Sequence, residues 1–512
     1  ILSGKVNPSG KMTVTIAEDY NDYPSSAHFS WDKEHPDQIM TYEDYGLSAE
    51  ENGSRGFEKS PVTVYWENIY AGYRYFDTFQ KNVLFPFGYG LSYTTFEITE
   101  TGTQKKKDGI KVVVRVKNTG AVPGKEVAQV YWSKMDQEGC EHPMQALGGF
   151  EKTSQLAPGE EEVLSITIPW KELAVYEEER AAWVLEKGEY ALRVGNSSRN
   201  TVCGKFMQTE QDYVLEQCEN CLMLASCNCG KLKFLTKDKK PDGTTKIADV
   251  IERTERVDTV KKGNQQKKAA EVHNCKVQTR NFSGFSIEEL AALCVGYGPG
   301  IPFAAAGDLS KPTILDENGT PLTTNSHPVG YAGYVSPAIE EKGIKSVFYK
   351  DGPAGIGETA WPTEMLIACA FDKKLWYEFG NAIGEECERK QVDIWLAPAV
   401  NLHRNPLCGR NFEYFSEDPY LTGICACEIT KGVQENHPVL VCPKHFAVNE
   451  QETFPRGSSR KNYDAVDSIL TERTAREIYL KPFEMLVRDA KVACIMTSFN
   501  KINGIFAGAN KD

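Results

Sequence analysis

Chemistry-bearing residues concentrate in CPKHFAVNEQE, residues 442–452 of this 512-residue chain. An apolar run, Val439 to Val441, leads into adjacent Lys444 and His445, and Asn449, Glu450, Gln451 and Glu452 follow. An ammonium group only donates, whereas a neutral imidazole both donates and accepts, so together they can clamp vicinal hydroxyls. A solvated loop would carry similar residues, and recurrence separates the two readings. Three further apolar runs end the same way. Ser346 to Tyr349 leads into Lys350, Asp351, Gly352 and Pro353; Val392 to Val400 leads into NLHRNPLCGRNFEYFSEDP; Val492 to Met496 leads into TSFNKING.

Elements must position these clusters. Apolar spacing near three and four predicts amphipathic helices at 363–389, 419–436 and 465–490 between the runs. Strand, polar loop and helix then alternate, which implies parallel strands with right-handed crossovers. In a (β/α) barrel every loop after a strand opens on one face, so the clusters would converge there.

The rest of the chain has a different character. Residues 94 to about 200 show short alternating runs (TFEIT, IKVVVRVKN, EVAQVYWS, EVLSITIPW, YALRVG) separated by turn signals, the pattern of an immunoglobulin-like β-sandwich. Residues 204–280 are lysine-rich and read as a linker with one helix near 246–257. The barrel-like segment opens with a helix from Ser286 to Cys294. A formal charge of −13 disfavours nucleic acid or an anionic membrane as partner and suits a neutral ligand. No apolar run approaches the ~18 residues that span a bilayer. The first residue is Ile1 rather than methionine, which leaves an upstream leader open. The 15 cysteines are irregularly spaced. Several, such as Cys294, Cys369, Cys425, Cys442 and Cys494, sit in apolar patterns as small buried hydrophobes, which points to a reducing cytoplasm. Cys218, Cys221, Cys227 and Cys229 form two close pairs. Their separation is shorter than in common zinc modules, which favours a reduced, non-functional cluster over a metal site, and no cofactor is expected.

The motifs DGPAG, LAPAVNLHRNPLCGRNFEYFSEDPYLTG, KHFAVNEQE, TERTAREIYLKPFE and IMTSFNKING together resemble the barrel domain of glycoside hydrolase family 3, on its β-glucosidase side. VNPSGKMTVTI, IYAGYRYFDT and VLFPFGYGLSYTTFE are similar to the end of that family's α/β sandwich domain and its passage into a fibronectin type III-like domain. The resemblance implies a multidomain α/β plus all-β chain with exchanged domain order. Residues 1–93 would be a remnant of the α/β sandwich and 94–203 the fibronectin-like domain. The linker would occupy 204–280 and the first half of a (β/α)8 barrel 281–512.

The resemblance also implies roles. Asp351 would hold the distal hydroxyls of a non-reducing glucose, although an aspartate before Gly-Pro also makes an ordinary turn. Gly357 stands where the family has an arginine soon after that motif. Arg410 would use its planar fork on two hydroxyls, against a plain ion pair with Glu413 or Glu417. Lys444 and His445 match the family's hydroxyl-clamping pair, and AVNEQE differs from the glycine-rich loop of the N-acetylglucosaminidase branch. Arg456 lies in a stretch with two arginines, FPRGSSR. Met496 and Phe499 would pack at the sugar face or floor, Phe499 lacking the hydroxyl of the tyrosine often found there.

The family's nucleophile is the aspartate of a Ser-Asp-Trp motif downstream of NGIFAGANKD, and its acid/base glutamate belongs to the α/β sandwich domain. The expectation is that both lie outside the chain, and nothing in the spacing of Glu413, Glu417, Glu450, Glu452 and Asp512 selects a substitute pair. The parent protein is expected to hydrolyse terminal β-D-glucosyl residues with retention, while this chain alone would bind without turnover. A β-xylosidase and a non-catalytic carbohydrate-binding module are the alternatives. The partner expected is a β-glucoside or oligosaccharide, with self-association open.

Overall fold

The computed structural model describes residues 1–29, 40–48, 61–136, 138–222, 232–237, 284–294, 334–357, 359–451 and 466–510. Two compact units divide the chain. One holds Ile1–Glu252, Gly352–Lys390 and Trp395–Asp512, and the other Arg253–Asp351 and Gln391–Ile394.

The alternation read at 94–200 becomes a β-sandwich because successive side chains point to opposite faces. In strand Gly109–Asn118, Ile110, Val112, Val114 and Val116 are all fully buried. That strand pairs antiparallel with Phe96–Lys105 on one side and Glu161–Pro169 on the other. A second sheet runs in the order Asn200–Thr209, Gly188–Ser197, Val127–Lys134, Ala146–Lys152. Between the sheets the valines meet Ile166, Ile168, Val130, Trp132, Leu192 and Val194 in one apolar core.

Strands run beyond residue 203, where the linker was expected to begin. Asn200–Thr209 pairs with Gly188–Ser197, and Tyr213–Gln217 pairs with Ala182–Leu185. All five residues of Tyr213–Gln217 are exposed, so the strand carries no one-sided apolar pattern to read. The expected helix at 246–257 lies outside the described residues, as do Cys227 and Cys229.

In the second unit, helix Ile287–Leu293 starts at a capping box. Ser286 Oγ accepts from the Glu289 N–H at 3.1 Å, and the Glu289 carboxylate accepts from the Ser286 N–H at 2.7 Å. Cys294, expected to be buried, is exposed. Strand Phe348–Asp351 pairs antiparallel with Tyr334–Val335.

Back in the first unit, the helix expected over 363–389 is two helices, Glu364–Ala368 and Lys373–Arg389. Phe371 adopts φ 46° between them, and Asp372 caps the second by accepting from the Leu375 N–H at 3.2 Å. Helix Pro419–Gln434 begins with Asp418 as cap and proline in its first turn. It packs on Lys373–Arg389 at glycines. A Cβ on Gly380 would lie 2.1 Å from the Ile429 carbonyl oxygen, and one on Gly432 2.1 Å from that of Tyr377.

The helix expected over 465–490 forms only from Glu472 onward. Asp467–Ile469 is instead a strand, parallel to both Val62–Val64 and Lys501–Ile502. A three-residue buried strand is too short to break a helical apolar pattern, and its partners are remote in sequence. Cys425 and Cys442 are buried as expected, while Cys369 and Cys494 are only partly so. Among the described residues no helix is long and apolar enough to cross a membrane.

Candidate functional site

The site grows from a parallel ladder in the first unit. The Cys442 N–H donates to the Trp395 carbonyl at 2.9 Å and the Lys444 N–H to that of Pro398 at 3.0 Å, while the Val400 N–H returns to the Lys444 carbonyl at 2.7 Å. On the other side, the Met496 N–H donates to the Pro443 carbonyl at 2.9 Å, and the Phe446 N–H to the Met496 carbonyl at 2.8 Å. Among the described residues the fourth apolar run meets the ladder through these bonds of Met496 and an adjoining isolated parallel bridge between Phe446 and Thr497, rather than as a strand over Val492 to Met496.

At the C-terminal end of this ladder Arg410 and Lys444 come together around one carboxylate, and His445 lies within the field of both cations. Glu413, in the turn Asn411–Glu413, forms an ion pair with Arg410, and its other oxygen lies 3.7 Å from Lys444 Nζ. The ion pair weighed as the alternative role of Arg410 is thus present, and it shares its carboxylate with the lysine. Lys444 and His445 are both buried. Burial comes first, with Arg410 and Lys444 adding to it, in pushing the His445 pKa down to about 2, so the imidazole is neutral. A fork, an ammonium and a neutral imidazole in a low-dielectric site suit a neutral polyhydroxylated ligand.

Behind this wall stands a layer of buried polar side chains. Asn401 binds His445 through its backbone and its ring, and also approaches Glu450. Glu450 accepts from Tyr65 Oη at 2.9 Å, and burial raises its pKa to about 7. Glu417 accepts from the Thr15 N–H, the Thr15 hydroxyl and the Tyr73 N–H at 2.9, 2.7 and 2.8 Å, and burial again lifts it to about 7. Both glutamates are engaged inward, with the backbone of the fold as partner. Arg404 lies over the Tyr65 ring at 4.0 Å and pairs with buried Glu67, at 3.1 Å from Nη2 to Oε2.

Val448 ends the KHFAV stretch with φ 59°, a left-handed conformation that costs a β-branched residue about 1–3 kcal/mol. Its carbonyl is held there by Asn500 Nδ2 at 3.0 Å and Ser468 Oγ at 3.2 Å.

The remaining expected residues are placed differently. Met496 is half-buried beside the ladder, whereas Phe499 is 80% exposed and forms no floor. Asp351 is exposed at the end of strand Phe348–Asp351 in the second unit. Arg456 lies outside the described residues. Asn401 was missed by sequence reasoning, because a single asparagine 44 residues from its histidine partner leaves no local signature.

Comparison with known proteins gives a consistent picture. Residues 337–512 match the glycosyl hydrolase family 3 N terminal domain, and residues 126–198 the fibronectin type III-like domain. The chain is 33% identical to "Beta-glucosidase A" of Butyrivibrio fibrisolvens, over 98% of this chain and 60% of that protein. It is 35% identical to a "Beta-glucosidase" of Ruminococcus albus, over 100% of this chain and 50% of the relative. A solved β-glucosidase from Paenibacillus barengoltzii superposes with a TM-score of 0.73 at 33% identity, covering 99% of this chain and 52% of that one. The chain therefore spans between half and three fifths of the length of these relatives.

Proposed function

Since the chain belongs to glycoside hydrolase family 3, we propose that it forms the glucose-recognising part of a β-glucosidase. The whole protein would hydrolyse terminal non-reducing β-D-glucosyl residues of glucosides and oligosaccharides. The observation that carries this is the meeting of Arg410 and Lys444 on Glu413, with a neutral His445 beside both cations, at the end of the parallel ladder.

In this reading Lys444 and Arg410 donate to sugar hydroxyl oxygens and His445 accepts a hydroxyl hydrogen. Arg456 and Met496 add to the glucose subsite, and the ladder is the first half of a (β/α)8 barrel. Hydrolysis with retention needs two carboxylates ~5–5.5 Å apart, one attacking the anomeric carbon and the other protonating the leaving oxygen. Glu417 and Glu450 are unsuited to that work, because both are buried and spend their oxygens on the fold's own donors. The reading leaves this chain a binder of glucose without turnover. Unpaired thiols among the described cysteines support a reducing, cytoplasmic setting.

The test is a titration of the purified chain with D-glucose and D-xylose, alongside an assay with p-nitrophenyl β-D-glucoside. Glucose binding that His445→Ala weakens at least tenfold, with no chromophore release, is the expected result. Xylose bound as tightly as glucose, or release of p-nitrophenol that survives rigorous purification, would contradict it.

A further inference from the structure

Asn401 meets His445 in three places. Its side-chain oxygen lies 2.9 Å from the His445 backbone nitrogen and 3.2 Å from ring Nδ1, and its side-chain nitrogen lies 3.1 Å from the His445 backbone oxygen. Two of these partners leave no choice of orientation. A backbone N–H can only donate, so the atom facing it is the amide oxygen; a backbone carbonyl can only accept, so the atom facing it is the amide nitrogen. The amide oxygen cannot donate to the ring. Nδ1, at hydrogen-bond distance from it, must therefore carry the hydrogen.

A second hydrogen on Nε2 would make the ring a cation. The charged groups around it oppose that. Arg410 and Lys444 are both positive, and the Glu413 carboxylate is already shared between them. Glu450, on the far side of Asn401, is itself held near neutrality by burial. Among the described residues none bonds to Nε2.

We propose that Asn401 is a positioning residue that locks His445 in the neutral Nδ1–H tautomer, making its bare Nε2 a dedicated hydroxyl acceptor beside the dedicated donor Lys444. What the acceptor serves rests on the sugar-subsite reading, while the lock itself does not. The pair then imposes a polarity on its ligand. A hydroxyl at His445 must donate its hydrogen, and a hydroxyl at Lys444 must offer its oxygen. A fluorine replacing the first cannot donate and is rejected, whereas a fluorine replacing the second still accepts.

Imidazole 15N spectra of the full chain test this, with the His445 signals assigned through His445→Gln. The expected result is a protonated Nδ1 and a bare Nε2, unchanged from pH 5 to pH 8. A hydrogen on Nε2, or an imidazolium signal in that range, would overturn the proposal. Asn401→Leu removes the acceptor facing Nδ1, so its His445 should show a substantial share of the Nε2–H tautomer that wild type lacks. A folded Asn401→Leu whose His445 keeps the wild-type tautomer would also overturn the proposal; if that variant does not fold, the wild-type tautomer decides. Addition of D-glucose separates the two claims. An Nδ1–H tautomer whose Nε2 signal ignores saturating glucose would sustain the lock and sink the sugar subsite.

Discussion

The sandwich and the ladder region reach order by opposite means. Strand Gly109–Asn118 presents four fully buried aliphatic side chains to a dry core, and its outward residues meet solvent. Around the ladder the interior instead holds Glu67, Arg404, Glu417, Lys444, His445 and Glu450, each buried and partnered. An apolar core tolerates loss by degrees, because each methyl contributes separately. A buried ionic layer does not, since removing one partner strands the other without water. The lesson is that the region proposed to meet the ligand is also the one most easily broken by a single substitution.

Three substitutions would break or sharpen this contrast, and chemical denaturation of the chain measures each. The largest effect is expected from Glu67→Ala, which leaves the Arg404 guanidinium buried without its carboxylate. Loss of a partner from such a pair costs about 3–5 kcal/mol. A loss under about 1 kcal/mol would show that water reaches Arg404 and that the two regions differ less than described.

Glu450→Gln probes the same layer through pH. Burial raises the Glu450 pKa from 4.5 to about 7. A carboxyl raised on folding contributes stability that is complete below pH 4.5 and is lost as pH climbs through 7. At 1.36 kcal/mol per pH unit that loss is on the order of 3 kcal/mol. Wild type should therefore weaken relative to Glu450→Gln between pH 5 and pH 8. Parallel pH profiles for the two proteins would refute the assignment.

The smallest effect is expected in the sandwich. Ile166→Val removes one methylene from a buried position and should cost about 0.5–1.5 kcal/mol, with no dependence on pH.

Much of this was legible in the residues. Alternation in IKVVVRVKN announced a strand with one buried face, and apolar spacing over 419–436 announced helix Pro419–Gln434. The adjacency of Lys444 and His445 pointed to the wall, and Glu413 was already named as a partner for Arg410. Other features leave no local trace. Asp467–Ile469 looked helical because three residues cannot display a period, and only pairing with Val62–Val64 makes them a strand. Asn401, Glu67 and Arg404 are single polar residues whose partners lie tens to hundreds of positions away. Tyr213–Gln217 carries no buried face and therefore no signature.

The sheet that joins Val62–Val64 to Asp467–Ile469 sets a timetable for the growing chain. Sandwich strands find partners within roughly a hundred residues and can associate soon after synthesis. Val62 to Val64 cannot. At about 5–20 residues per second, the ribosome delivers their parallel partner some 20–80 seconds later. Throughout that interval an apolar strand, fully interior in the finished protein, has its hydrogen-bonding edges open to any other strand. Production in cells should accordingly be limited by what shields this early segment while it waits, rather than by the stability of the fold that finally encloses it.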